Sequence, residues 1–239
     1  KFINFLSGHN KQLNNKNYFY KIEKKIPNLK KFDIVVSDNL PEVLKSHNNV
    51  ILISNFFWHR IILKFNNYRN IEKILRQKKP LIICNKYVSH PYINSYENVK
   101  KLGFFSDYKK TVKKYRVLLV SEGTSHTKLS DKSYLLKYIK IIGPFFDKIF
   151  LDPKYFSDKN FYKFVKKVNK DVFLAKYNNK MFRLVTHAII KPGLGLVTDC
   201  ISNDISCYYF YKNFNKEFKY NAKKLEDLKI GKILNIKNI

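Results

Sequence analysis

Ala188-Ile189-Ile190-Lys191-Pro192-Gly193-Leu194-Gly195-Leu196-Val197-Thr198-Asp199-Cys200 holds a whole structural unit. Ala188–Ile190 with Lys191 reads as the end of a buried strand, Pro192 stops it, and Leu196–Ser202 reads as a helix. A strand, a glycine-rich turn and a helix in that order is a repeating unit of a parallel sheet. In such sheets ligands collect beyond the carboxyl ends of the strands, near helix N-termini. Gly193 and Gly195 let the backbone come close to a ligand, and the helix N-terminus favours an anion. Asp199 lies in the first turns of the helix, where a carboxylate can accept hydrogen bonds from two ribose hydroxyls. The same spacing also suits a plain glycine turn in which Asp199 offsets the helix dipole.

Outward from this unit the pattern repeats. Tyr115–Ser121, Lys148–Leu151, Val172–Ala175, Ser206–Tyr211 and Lys232–Ile236 read as further strands. Between them Phe161–Val168, Lys180–His187 and Glu217–Leu228 read as helices. Continuous apolar strands alternating with amphipathic helices predict a parallel sheet covered on both faces. The N-terminal part has the same grammar in shorter form. Phe32–Ser37, Val50–Ser54 and Leu81–Cys84 are strands, with Pro41–Ser46 and Ile71–Gln77 as helices. The expected organisation is two Rossmann-like α/β lobes, 1–110 and 111–239, with a linker inside Asn94–Thr111. Three strands are few for a doubly wound lobe, so the first lobe is read as incomplete, with residues upstream of Lys1 expected in the full protein.

Composition narrows the class. Hydrophobic residues make up 45% of the 239, which suits packed domains and not a disordered chain. No apolar run approaches the ~20 residues that span a bilayer, and Lys1–Asn15 lacks the features of a signal peptide. The formal charge of +29 suggests an anionic partner. Against this, Lys, Asn, Ile, Tyr and Phe share A/T-rich codons, and the lysines are spread along the chain. An anionic membrane surface is preferred to nucleic acid, because direct base readout relies on Arg and only Arg60, Arg69, Arg76, Arg116 and Arg183 occur. Cys84, Cys200 and Cys207 show no zinc or redox spacing and suit a reducing cytoplasm.

A second turn, Ser121-Glu122-Gly123-Thr124-Ser125-His126, follows the strand Tyr115–Val120 and offers backbone N–H groups and hydroxyls to a phosphate. An ordinary helix cap fits it equally well. With the Gly193–Asp199 segment it resembles the donor domain of GT-B glycosyltransferases, the fold of MurG and the UDP-glycosyltransferases. Glu217-Phe218-Lys219-Tyr220-Asn221-Ala222, with Gly231 beyond, resembles that family's next motif, although Phe218 stands where Gln is usual. The resemblance covers about the last 125 residues.

The resemblance implies a UDP-sugar donor site formed by Gly123, Thr124, Ser125, Lys191, Gly193, Gly195, Thr198, Asp199, Glu217 and Asn221. Asp199 would hold the ribose, Glu217 the donor sugar, and Lys191 with the helix dipoles the leaving diphosphate. No metal or other cofactor is expected. The activity implied is transfer of a sugar to a glycan or lipid-linked acceptor by a cytoplasmic protein, peripheral at the inner membrane face. Asp38 and His59 are the candidate catalytic bases, with His90 as a third candidate after a strand; each also reads as structural. His126 is a candidate neighbour of the diphosphate, and His187 reads as a core or rim residue. The rival readings are a UDP-sugar 2-epimerase of the same fold, a non-catalytic nucleotide-sugar-binding module, and a basic nucleic-acid-binding protein.

Overall fold

The computed structural model describes residues 3–4, 21–22, 28–61, 68–104, 112–122, 132–211 and 216–234. The chain divides into two compact units, Lys1–Leu102 and Gly103–Ile239.

In the first unit, β1 (Ile3–Asn4) pairs in parallel with β2 (Lys21–Ile22). A separate four-stranded sheet holds β3 (Val35–Asp38), β4 (Val50–Ile53), β5 (Leu81–Asn85) and β6 (Val99–Leu102), all parallel and in sequence order. Helix α1 (Trp58–Ile61) and helix α2 (Tyr68–Lys78) follow β4. Val50, Leu52, Ile82 and Cys84 on one sheet face pack with Ile71 and Leu75 of α2 and with Leu44 and Ile93 from short 3-10 turns. The opposite face keeps Val36 60% and Ile53 44% exposed. A parallel sheet is normally covered on both sides; among the described residues this one is covered on one.

Three sequence expectations change here. Phe32–Asp33 precede the strand, which starts at Val35. Pro41–Lys45 is a 3-10 turn, not an α-helix. Val99–Leu102, inside the expected linker, is β6; only its end residues are half-buried, so no apolar run announces it.

The second unit is a six-stranded parallel sheet. Its strands are β7 (Val117–Ser121), β8 (Lys148–Leu151), β9 (Val172–Leu174), β10 (His187–Ile190), β11 (Ser206–Tyr209) and β12 (Gly231–Ile233). Their spatial order is β12-β11-β10-β7-β8-β9. All five residues of β7 are buried, as a central strand requires. The sheet grows outward in both directions from the β7–β10 pair, and this reversal is the topological switch point of a doubly wound fold.

The helices are α3 (Lys132–Ile142), α4 (Pro153–Ser157), α5 (Lys159–Val168), α6 (Asn179–Leu184), α7 (Leu194–Ser202) and α8 (Lys216–Asp227). Right-handed crossovers put α3 and α5 on one face and α7 and α8 on the other. The α5 N-terminus is fixed by Asp158, whose carboxylate accepts from Asn160 N and Phe161 N, a standard helix cap. Its buried Phe161 and Val165 join Leu135 and Ile139 of α3 over Leu118, Val120 and Ile149 of the sheet. The expected helix Lys180–His187 ends at Leu184, because His187 already belongs to β10.

Candidate functional site

At the switch point the carboxyl ends of β7 and β10 lie side by side, with Ile190 opposite Ser121 in the ladder. The next residues are Glu122 and Lys191, and they form a buried ion pair at 3.1 Å. Glu122 also accepts a 2.6 Å hydrogen bond from the Tyr155 hydroxyl of α4. Burial pushes the Lys191 ammonium below its ordinary pKa, while the Glu122 carboxylate pushes it back up. Lys191 thus follows β10 with its ammonium held against Glu122.

A second group lies beside the pair. Asp152 follows β8 and caps α4 by accepting from Lys154 N. Its Oδ2 accepts from Ser121 Oγ at 3.1 Å and from the Tyr177 hydroxyl at 2.8 Å, and those two hydroxyls are 2.6 Å apart. Burial and the neighbouring Asp152 push the Tyr177 phenol up, which keeps it protonated as a donor. Tyr177 pays a backbone cost for this position, with φ of 46°, a region that non-glycine residues seldom occupy. Sequence reading passed over Asp152, Tyr155 and Tyr177. The Asp-Pro step after an apolar strand was a legible sign of Asp152; the tyrosines had none.

The Lys191–Gly195 turn leads into α7. Gly193 is the N-cap and has no side chain with which to cap the helix, and the N–H groups of the first turn lack an intrahelical acceptor. Among the described residues, and beyond its chain neighbours and its own helix backbone, a Cβ at Gly193 or Gly195 would meet no atom within 4 Å. Gly195 and Asp199, four residues apart, share the exposed face of α7, and nearby protein raises the Asp199 pKa by desolvation. The Thr198 hydroxyl donates to Leu194 O at 2.7 Å, one turn earlier in α7. Asn221 of α8 is buried and donates from Nδ2 to Pro192 O at 3.1 Å, so it clamps the turn. Glu217 lies one turn earlier on the same face of α8, and burial pushes its carboxyl up to about 7. Gly231 has a packing role, since a Cβ there would lie 2.6 Å from Cys207 O. Gly123, Thr124, Ser125 and His126 lie outside the described residues.

The structure thus places Lys191, Gly193 and Gly195 at the start of α7, where Asn221 bonds to the turn; Asp199 lies on the Gly195 face of α7, and Glu217 one turn before Asn221 on α8. His187 lies at the other end of β10, with Phe146 at 5.2 Å and Tyr208 at 6.3 Å between ring centroids.

In the first unit Asp38 ends β3 and is exposed, yet desolvation by nearby protein raises its pKa. His59 is only 3% exposed. Glu72 Oε1 accepts from His59 Nε2 at 2.9 Å, Arg60 Nε at 2.6 Å and Tyr96 OH at 2.7 Å. A ring so enclosed cannot meet an acceptor hydroxyl, because a general base needs hydrogen-bond reach; His59 is part of an internal ionic cluster. His90 is half-buried, with its pKa lowered by burial and by Arg60. Among the described residues no group of three His, Cys, Asp or Glu is placed to hold a metal ion, and no helix is long and apolar enough to cross a membrane.

No protein-family profile matches the chain, and no curated protein matches it in sequence. Solved structures do match in fold. The glycotransferase of kitacinnamycin superposes with a TM-score of 0.53 at 12% identity, over 87% of this chain and 64% of its own. MurG of Acinetobacter baumannii gives 0.51 at 11% identity, over 88% and 63%. Arabidopsis thaliana UGT89C1, solved with UDP-L-rhamnose, gives 0.51 at 12% identity, over 78% and 52%. The fold is that of GT-B glycosyltransferases, two parallel α/β units, and this chain spans less than two thirds of the length of these relatives.

Proposed function

We propose that the chain is a glycosyltransferase that takes its sugar from a UDP-sugar. The observation that carries this reading is the N-terminus of α7 at the switch point, whose N-cap Gly193 brings no side chain to it, with no described residue crowding Gly193 or Gly195 and with Asp199 on the helix face of Gly195. Such a helix end stabilises the diphosphate and the charge that grows on it as the sugar leaves. Asp199 accepts from the ribose hydroxyls. Glu217, whose carboxyl burial pushes up to about 7, contacts the sugar, and its protonated form can donate as well as accept. The buried Glu122–Lys191 pair and the Asn221 clamp hold the two strand ends and the glycine turn in place, the preorganisation that such a site needs.

Asp38 in the first unit is the candidate base. Its raised pKa makes its carboxylate a stronger proton acceptor than an ordinary aspartate. The acceptor is a glycan or a lipid-linked glycan, and no metal takes part. UGT89C1, solved with UDP-L-rhamnose, supports the donor class by fold likeness.

The test is release of UDP from a panel of UDP-sugars, with and without glycan acceptors. Acceptor-dependent release that Asp38→Asn lowers by at least ~100-fold is expected, in line with loss of a general base. Sugar inversion without UDP release would point to an epimerase. Binding without turnover would point to a non-catalytic module.

A further inference from the structure

The helix layer of the second unit carries apolar side chains that the fold leaves unused. Phe145 is 66% and Ile141 48% exposed. They flank the short 3-10 turn Gly143–Phe145 that leads α3 towards β8. This places them at the amino ends of the strands, away from the candidate site.

The turn is tied down. Asn169, the C-cap of α5, donates from Nδ2 to Phe146 O at 2.6 Å and to Gly143 O at 3.3 Å. A Cβ on Gly143 would lie 2.7 Å from Val168 Cγ1, so α5 and the turn are in close contact. The C-terminal end of α5 therefore lies against this turn, and it carries the exposed Lys166 and Lys170, the Lys166 ammonium donating to Lys170 O; α3 adds the exposed Lys140.

Neither helix contains an acidic residue. The α5 cap, Asp158, is a helix length away and pairs with Lys132. Of the acids at this end, Asp147 accepts a hydrogen bond from Arg116 N, and Asp171 is exposed. Tyr115, 43% exposed before β7, stands between two more lysines, with Lys114 Nζ 5.4 Å and Lys148 Nζ 5.1 Å from its ring.

We infer that this end of the second unit is a docking surface for an anionic phospholipid bilayer. The lysines meet head-group phosphates, and Phe145 and Ile141 enter the acyl boundary, the two-part attraction that peripheral proteins use. Tyr115 has the amphipathic ring that settles at head-group level. A nucleic acid would satisfy the lysines but leave a protruding phenyl and a branched alkyl group in water, and it is the less favoured partner.

Vesicle flotation tests this with phosphatidylcholine alone and with about one third phosphatidylglycerol. The protein is expected to float only with the anionic vesicles. Replacing Ile141 and Phe145 together by Ser should weaken binding at least ~10-fold. Lys166→Glu with Lys170→Glu should weaken it similarly. Lys45→Glu with Lys73→Glu, the same charge change on exposed lysines of the first unit, should have little effect. The melting temperature of each variant reports its folding. Failure of the wild type to bind anionic vesicles overturns the inference. So does equal weakening by both charge pairs with none from the serine pair, since that marks diffuse attraction. Oligonucleotide binding that depends on Lys166 and Lys170, without vesicle binding, reassigns the surface to nucleic acid.

Discussion

Lys191 and Glu122 are each other's compensation, so removing one leaves a charge stranded in the interior. Lys191→Met is expected to cost ~3–5 kcal/mol in urea unfolding, while the double variant with Glu122→Gln recovers most of it; a neutral single variant would show that the pair is not what holds these strand ends. Glu217 gives a second residue-scale prediction. Its folded pKa, pushed by burial from 4.5 to about 7, lies above the unfolded value. Burial penalises only its ionised form, so the stability it allows is fully present below pH 4.5 and is lost as pH rises through 7. Glu217→Gln should stabilise the protein at about pH 8 and leave it nearly unchanged at about pH 5, as linkage requires. Residue identity made part of this site legible. Gly193, Gly195 and Asp199 could be read because a turn and a helix start show in a few adjacent letters. The Glu122–Lys191 pair could not, because its members are far apart in sequence and only the β7–β10 pairing joins them.

Elements differ in how strongly they announce themselves. Helix α5 was legible from Phe161, Phe164, Val165 and Val168, all on one face. Helix α3, absent from the sequence reading, spreads its apolar residues as Tyr134, Leu135, Leu136, Tyr138, Ile139, Ile141 and Ile142, too many to mark a single stripe. Strand β12 depends on a glycine for packing: Gly231→Ala would press a methyl against Cys207 O and the Tyr209 ring. A loss of ~2 kcal/mol is expected from such overpacking, read as a lower urea midpoint. In the first unit α1, α2 and the 3-10 turn before Tyr96 meet at Glu72. Burial would raise its pKa, but the bonds from Arg60, His59 and Tyr96 outweigh that and hold it at about 2. Because the folded value lies below the unfolded 4.5, this stabilisation is present above pH 4.5 and is lost as pH falls towards 2. Glu72→Gln should remove about 3 kcal/mol at neutral pH, the equivalent of that shift, and flatten the acid limb of the stability profile.

At the scale of the whole molecule, alternation of apolar strands and helices was enough to predict parallel sheets in two units. Strand order was not written there. The outward growth from β7 and β10 follows from right-handed crossovers in three dimensions, and it is this order that brings two distant turns to one place. The formal charge of +29 says little by itself, because the lysines are spread along the chain; the proposed lipid surface rests on the exposed Phe145 and Ile141. The central claim is that the α7 turn binds a uridine diphosphate. Isothermal titration of UDP, with ADP as control, against wild type and Asp199→Ala tests it most directly. Binding that prefers UDP and weakens at least ~10-fold in the variant, about 1.4 kcal/mol, is the predicted result. A folded wild type that takes up no UDP, or a variant that binds it as well as wild type, would contradict the account.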